Sequence, residues 1–335
     1  MKRILLYGFS LFFSLAFFAC VEIEEHANTP RGNFDALWKI MDENYCFFEY
    51  KEVDWNQVYL DYSQRLKNNM SLRDFFMLMD EMLWELRDGH VNISTPFDLG
   101  RYWAWYEAHP ANYQQELINS YLGTGTDYHI AGSVRYKILN DSVGYMRYAD
   151  FSGAMGEANL DYVLYEFRDC PGIIIDVRNN GGGLLTNSDR LASRFFNKKT
   201  LVGYIQHKTG KGHNDFSKPF PKYVEPSPRL RYQKPVIVLT NRRCFSATND
   251  FVNSMRYAPN VIILGDRTGG GSGLPFSSEL PNGWSIRFSA CPMYDADMQH
   301  IEFGIDPNIF VSLLEEDIQR GKDTLIEAAR KILRE

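Results

Sequence analysis

The stretch Pro235–Val236–Ile237–Val238–Leu239–Thr240–Asn241–Arg242–Arg243–Cys244–Phe245–Ser246–Ala247–Thr248 decides how this chain is read. Its first half is an unbroken apolar, β-branched run, the pattern of a parallel strand buried on both faces. After it, Asp250, Phe251, Ser254 and Met255 begin a helical spacing. Ser246 therefore stands where a buried strand turns into a helix. Two chemistries fit that position. Serine is a favoured helix N-cap, which needs no further explanation. A serine there also resembles a nucleophile elbow, with the helix amides behind it able to stabilise developing negative charge, although the motif is not G-x-S-x-G.

A second element upstream favours chemistry. Gly172–Ile173–Ile174–Ile175–Asp176–Val177–Arg178 is another buried strand, and it runs into Asn179–Asn180–Gly181–Gly182–Gly183. Three glycines after a strand let backbone approach a ligand and turn its amides outward. An acyl-transfer serine needs such a paired-donor site, one amide from its own loop and one from a neighbour. The third element is a histidine. The segment from Ser71 to Leu86 shows apolar residues at helical spacing with Ser71 as N-cap, and it ends at Arg87–Asp88–Gly89–His90. A histidine there can simply face the last helix carbonyls. The other six histidines form no H-x-x-H or H-E-x-x-H pattern, so no metal site is expected.

Five segments occur together in order: Asp88–Gly89–His90, Asp176 to Gly183, Phe245–Ser246–Ala247–Thr248, Gly265–Asp266–Arg267–Thr268–Gly269–Gly270 and Phe303–Gly304–Ile305–Asp306–Pro307. In this the chain resembles the C-terminal processing (tail-specific) serine peptidases, and more closely their tricorn-core branch. The resemblance runs from about Phe34 to Val311. It implies an α/β fold, a crotonase- or ClpP-like layered αβ core led by a small helical N-terminal domain. In the tail-specific branch the general base is a lysine after the glycine turn. The matching position here is Gly271, and no lysine lies nearby. The tricorn-like branch instead implies a histidine base, here His90, although Gly89 stands where that branch has a serine. Imidazole titrates near neutrality and suits the role. By the same resemblance, Ser246 is the nucleophile, Glu302 orients His90 with Asp297 and Asp295 as alternatives, and the amides of Gly182 and Ala247 form the oxyanion hole.

The glycine-rich Thr268 to Gly273 lacks the Gly-Lys-Ser/Thr ending of a phosphate-binding loop. No cofactor is implied. Asn282–Gly283 between Ser278–Glu279–Leu280 and Trp284–Ser285–Ile286–Arg287–Phe288 predicts a hairpin beside the cleft, with Trp284 in packing.

The chain opens with Lys2–Arg3, an apolar run from Ile4 to Phe18 and then Ala19–Cys20. This reads as a signal peptide rather than a spanning helix. The Phe17–Phe18–Ala19–Cys20 ending resembles a bacterial lipobox, with Cys20 lipidated, though plain cleavage also fits. Val21–Glu22–Ile23–Glu24–Glu25 resembles an acidic surface-export signal. The expected location is the cell envelope of a Gram-negative bacterium, in the periplasm or at the outer membrane, held by an N-terminal lipid anchor. Cys46, Cys170, Cys244 and Cys291 are too widely spaced for a zinc ribbon or C-x-x-C motif. Cys46 is conceivable as a nucleophile, yet no partner lies near it in sequence.

The expected organisation is a signal peptide over 1–20, a linker over 21–33, and a helical domain over 34–94 ending near His90. An irregular aromatic segment over 95–138, an αβ peptidase core over 139–312 and a C-terminal helix over 313–335 follow. The polar, aromatic stretch after His90, from Thr95 to Tyr136, is about 45 residues, too short for an inserted PDZ domain. A net charge of −6 with no basic stripe speaks against nucleic acid. The expected function is a secreted, lipid-anchored serine endopeptidase acting on extended or unfolded polypeptides. Modules of the same fold bind apolar ligands without proteolysis, so a non-catalytic lipid- or peptide-binding lipoprotein is the alternative. An acyl-CoA enzyme would also use paired glycine amides, but a secretion signal argues against a cytoplasmic cofactor.

Overall fold

The computed structural model describes residues 26–335. The expected signal peptide and Cys20 lie outside the described residues.

The two apolar runs become neighbouring parallel strands at the centre of a seven-stranded sheet. Its order is Ile309–Phe310, Val261–Gly265, Val236–Thr240, Ile173–Asp176, Gly144–Tyr148, Val134–Ile138 and His129–Ala131. The pairings are parallel from Ile309–Phe310 to Gly144–Tyr148 and antiparallel in the last two. Residues of Ile173–Asp176 and Val236–Thr240 are buried throughout, as strands covered on both faces must be. The helices Glu157–Glu166, Leu185–Ala192 and Ala247–Met255 help build one apolar layer, which holds Leu160, Val163, Leu191, Phe251 and Val252. Thr324–Arg334 packs Leu325, Ile326 and Ala329 onto the opposite layer with Ile174, Ile237 and Leu264. Register pairs Asp176 with Leu239, so the loops that follow the two strands leave the sheet side by side.

A second, antiparallel sheet runs Leu99–Arg101, Asn92–Ser94, Ser285–Asp295, Thr200–Ile205 and Phe220–Val224, with Gly273–Glu279 also paired to Ser285–Asp295. The expected Asn282–Gly283 hairpin forms between Gly273–Glu279 and Ser285–Asp295, with Gly283 at φ +83°. Helices Pro30–Asn44, Trp55–Ser63 and Leu72–Trp84 are capped by the side chains of Thr29, Asp54 and Ser71. Their apolar stripes do not close on themselves. Phe34, Leu37, Met79 and Met82 share one core with Trp284, Ile286 and Phe288 of the second sheet. The helical segment is thus seated on strands contributed from the other end of the chain.

Four boundaries differ from the sequence reading. The first helix opens at Pro30, inside the expected linker over 21–33. The segment 95–138 is not irregular: it holds the strand Leu99–Arg101, the helices Ala104–Glu107 and Gln115–Leu122, and the last two strands of the main sheet, His129–Ala131 and Val134–Ile138. The αβ core therefore begins before residue 139. The C-terminal helix is two helices, Glu315–Gln319 and Thr324–Arg334, because Gly321 at φ +68° ends the first.

Candidate active site

Strand Val236–Thr240 ends in a turn stitched by Asn241. Its Oδ1 accepts from the amides of Asn179 (2.9 Å) and Arg243 (3.2 Å), and its Nδ2 donates to Asn179 Oδ1 (2.7 Å). The Phe245 amide donates to Asn180 O at 3.1 Å, and the Ser246 amide to Gly270 O at 2.8 Å. These bonds fasten the serine turn to both glycine loops. Ser246 itself sits at φ 58° and ψ −122°, a region that costs a non-glycine residue on the order of 1–3 kcal/mol and persists only where the surroundings impose it.

Of the two roles open to Ser246, the helix cap is not the one its side chain fills. It does occupy the N-cap position of Ala247–Met255, but its side chain makes no capping hydrogen bond. Instead Ser246 Oγ lies 3.0 Å from His90 Nε2, although 156 residues separate them in sequence. His90 is buried at 3% exposure. Its ring packs on Phe245 with centroids 4.7 Å apart, and its backbone amide donates to Asp88 Oδ1 at 2.8 Å. Burial pushes the His90 imidazole down to about 4, against an opposing pull from Asp88. At neutral pH the ring is therefore uncharged and able to accept the serine proton.

Glu302 does not reach His90 as the resemblance implied. Its Oε1 takes the Lys51 ammonium at 2.8 Å, and its Oε2 accepts from the Ser272 amide (2.7 Å) and hydroxyl (3.3 Å). Lys51 also lies 3.3 Å from Asp88 Oδ2, which accepts from the Tyr45 hydroxyl at 3.0 Å. The carboxylate is thus spent on a buried cation and a loop amide, while the His90 Nδ1 atom is buried with no hydrogen-bond partner among the described residues. Burial pushes Glu302 up to about 6; Lys51 counters it and Asp88 adds to it. Burial also pulls Lys51 down, but Asp88 and Glu302 together hold its proton above the ordinary lysine range. Asp88 stays below the usual carboxylate range because Lys51 and His90 outweigh its own burial. The two alternative acids are elsewhere. Asp295 closes its own turn through the Asp297 and Gln299 amides, and Asp297 is exposed.

The oxyanion donors part company too. Ala247 opens a helix, so its amide has no acceptor within that helix and points with the dipole toward the serine end. The Gly182 amide instead donates to Asn180 Oδ1 at 2.9 Å, within its own loop. What Gly182 supplies in this conformation is room. A Cβ there would stand 2.8 Å from Ser246 Cβ and 2.7 Å from Phe245 O, at φ +103°. Cys46 is buried, and burial, with Asp88 and Glu302 adding to it, lifts its thiol well above the ordinary value, which disfavours the thiolate a nucleophile needs.

Sequence reasoning missed Lys51, Tyr45 and Ser272. Lys51 lies between Tyr50 and Glu52, where a lysine reads as solvated surface. The signal available in the sequence was Asp88, an acid directly before the glycine–histidine pair that needed a cation once buried.

Two cavities meet at the Ser246–His90 pair. One of about 700 Å³ is walled by Arg101, Tyr102, Trp103, Asp150, the three glycines, Arg243 and Arg287. The other, about 290 Å³, is walled largely by Leu184, Leu185, Leu274, Pro275, Met293 and Ile301.

Comparison with known proteins gives the family and the fold. Residues 142–311 match peptidase family S41, and residues 26–84 match the tricorn protease C1 domain. The chain is 56% identical to a candidate peptidase of known structure from Parabacteroides merdae. That match covers 92% of this chain and 97% of the other with a TM-score of 0.88. It is 22% identical to the carboxy-terminal processing protease CtpA of Bacillus subtilis over 54% of this chain and 37% of that one. The mature CPAF structure shares the fold at 13% identity, with a TM-score of 0.69 over 91% of this chain and 96% of the other. Matches span between a sixth and less than half of the length of the curated relatives. By the family match over half its length and by its likeness to the Parabacteroides protein, this chain belongs to peptidase family S41.

Proposed function

We propose that the protein is a serine endopeptidase that cleaves extended polypeptides through an acyl-enzyme. The single observation that carries this reading is the 3.0 Å approach of His90 Nε2 to a strained, uncapped Ser246 Oγ. His90 accepts the hydroxyl proton as Ser246 Oγ attacks the scissile carbonyl carbon. The oxygen that becomes negative is met by the Ala247 amide. His90 then returns the proton to the departing amine, and water repeats the sequence on the acyl-enzyme. A second donor at the oxyanion requires the Gly182 amide to leave Asn180 Oδ1, a rearrangement that substrate can drive through its own carbonyl.

Extended substrates suit the cleft because Leu99–Arg101 is an edge strand of the second sheet and Arg101 lines the larger cavity. The proposed setting is the Gram-negative cell envelope, with the body held by a lipidated Cys20. This rests on the signal-like and lipobox-like residues 1–20. Loss of casein cleavage on Ser246→Ala, in a variant that keeps the parent's melting temperature, tests the chemistry. Mass spectrometry of the N-terminal peptide from cells, with Cys20→Ser as control, tests the anchor. An unmodified N-terminal peptide would remove the anchor and leave the peptidase reading intact.

A further inference from the structure

Register places three polar residues in one row of the second sheet: Arg101 opposite Asn92, and Asn92 opposite Arg287. Directly opposed residues share a face, so both guanidiniums rise on the same side with Asn92 between them. All three line the 700 Å³ cavity in front of Ser246, as does Arg243 from the serine turn. Among the described residues, only Asp150 contributes an acid to that wall.

The pairing of these arginines differs from that of their neighbours. Arg242 and Arg267 meet Asp266 and Asp306. Among the described residues, neither Arg101 nor Arg287 is paired with a carboxylate. Arg101 lies over the Trp103 ring at 3.6 Å, and both residues line the larger cavity. Arg287 also lines the apolar cavity and is close enough to His90 to lower the imidazole's proton affinity. Both arginines are exposed, so a substrate anion can reach them without displacing a carboxylate of the protein. The body of the protein is acidic, with net charge −6, so this positive field is local to the cleft.

We infer that the cleft selects polypeptides in which a carboxylate and an apolar side chain flank the scissile bond. Arg101 and Arg287 take the carboxylate, and the pocket beside Leu185, Met293 and Ile301 takes the apolar group. This rests on the peptidase reading of Ser246 and His90 and adds the substrate class to it. The carboxylate can come from an internal Asp or Glu, or from the end of the substrate chain. Both offer two oxygens to a guanidinium fork.

The test separates recognition from chemistry. Fluorescein-labelled peptides with one fixed leucine, and Glu, Gln or Lys scanned through the next four positions on either side, are titrated against Ser246→Ala. A second set ends in a free carboxylate or an amide beside the leucine. At one or more positions Glu should bind about tenfold tighter than Gln, the low end for a charge-assisted contact. The advantage should shrink with added salt and vanish in Ser246→Ala carrying Arg101→Gln and Arg287→Gln. A gain confined to the free-carboxylate peptides assigns the site to chain ends. Equal binding of Glu, Gln and Lys, or an advantage untouched by the arginine changes, overturns the proposal. Fluorophosphonate labelling of the parent, run in parallel, reports separately whether Ser246 is a nucleophile.

Discussion

Lys51 Nζ lies 2.8 Å from Glu302 Oε1 at the end of a contact spanning 251 residues of sequence, and both side chains are buried. The same ammonium stands 3.3 Å from Asp88, whose other oxygen holds the His90 backbone. A cation from the helical segment thus joins the loop that carries the histidine to the loop that carries Glu302. Removing one partner of a buried ion pair leaves an uncompensated charge and typically costs about 3–5 kcal/mol. Lys51→Met should lose stability on that scale in urea unfolding. Lys51→Met with Glu302→Gln should lose less than Lys51→Met alone, because one stranded carboxylate is neutralised. A double variant as unstable as the sum of the two singles would show that Lys51 and Glu302 do not act together.

The pH dependence follows from two opposed shifts. His90 is held at about 4 against an ordinary 6.5, so between those values the unfolded chain binds a proton that the native protein refuses. Its contribution to stability is lost as pH falls through that window. Glu302 is raised to about 6 from 4.5; it takes a proton in the native state first, so its contribution grows as pH falls from 6 toward 4.5. The histidine shift is the larger. Melting temperature should fall on acidification below pH 6.5, and Glu302→Gln should make that fall steeper. A steeper fall in the parent than in Glu302→Gln would reverse the assignment.

The same lowered imidazole predicts an unusual activity profile. The rate of acylation should hold from pH 8 down to about pH 5, because His90 stays neutral over that range. An acid limb centred near the ordinary histidine value of 6.5 would contradict the burial argument.

Gly182→Ala should remove acylation. Its Cβ would press within 2.8 Å of Ser246 Cβ, at a φ that L side chains avoid. Misplacing the serine and disturbing the oxyanion loop together should cost at least about 100-fold in rate. Gly181→Ala is the matched control, since a Cβ there has open space. It should keep most of the parent rate.

Arg178 directly precedes the Asn179–Gly183 loop, and its guanidinium is held by Asp176 at 2.7 Å and by Asp323 at 2.9 Å. All three are buried, and Asp323 also caps the C-terminal helix through the Leu325 and Ile326 amides. Arg178→Met should destabilise by about 3–5 kcal/mol by stranding two carboxylates. Arg168→Met, at an exposed pair, should change stability by about 0–1 kcal/mol. Equal unfolding midpoints for the two variants would refute the buried clamp.

Much of this was legible because the fold advertises its centre. The runs at Ile173 and Val236 could only be buried strands. The glycines after one and the serine after the other then had to share an end of the sheet. His90 was readable from its place among five ordered segments. The Glu302 partnership was not readable, because the competing cation comes from Lys51, whose neighbours Tyr50 and Glu52 look like surface. Nor was the use of the Gly182 amide, since Asn180 can take it only in a particular loop conformation. The strands at His129 and Val134 were hidden by polar residues such as Arg135 and Lys137, which alternate with the buried Val134 and Tyr136 and face away from the core.

The central claim is that His90 activates Ser246. Reaction of the chain from Glu22 onward with a fluorophosphonate, read by intact mass, tests it directly. A single adduct on the parent, absent from Ser246→Ala and strongly slowed in His90→Ala, is the result expected. A folded parent that gains no adduct between pH 5 and 9, or that is labelled equally in Ser246→Ala, would contradict it.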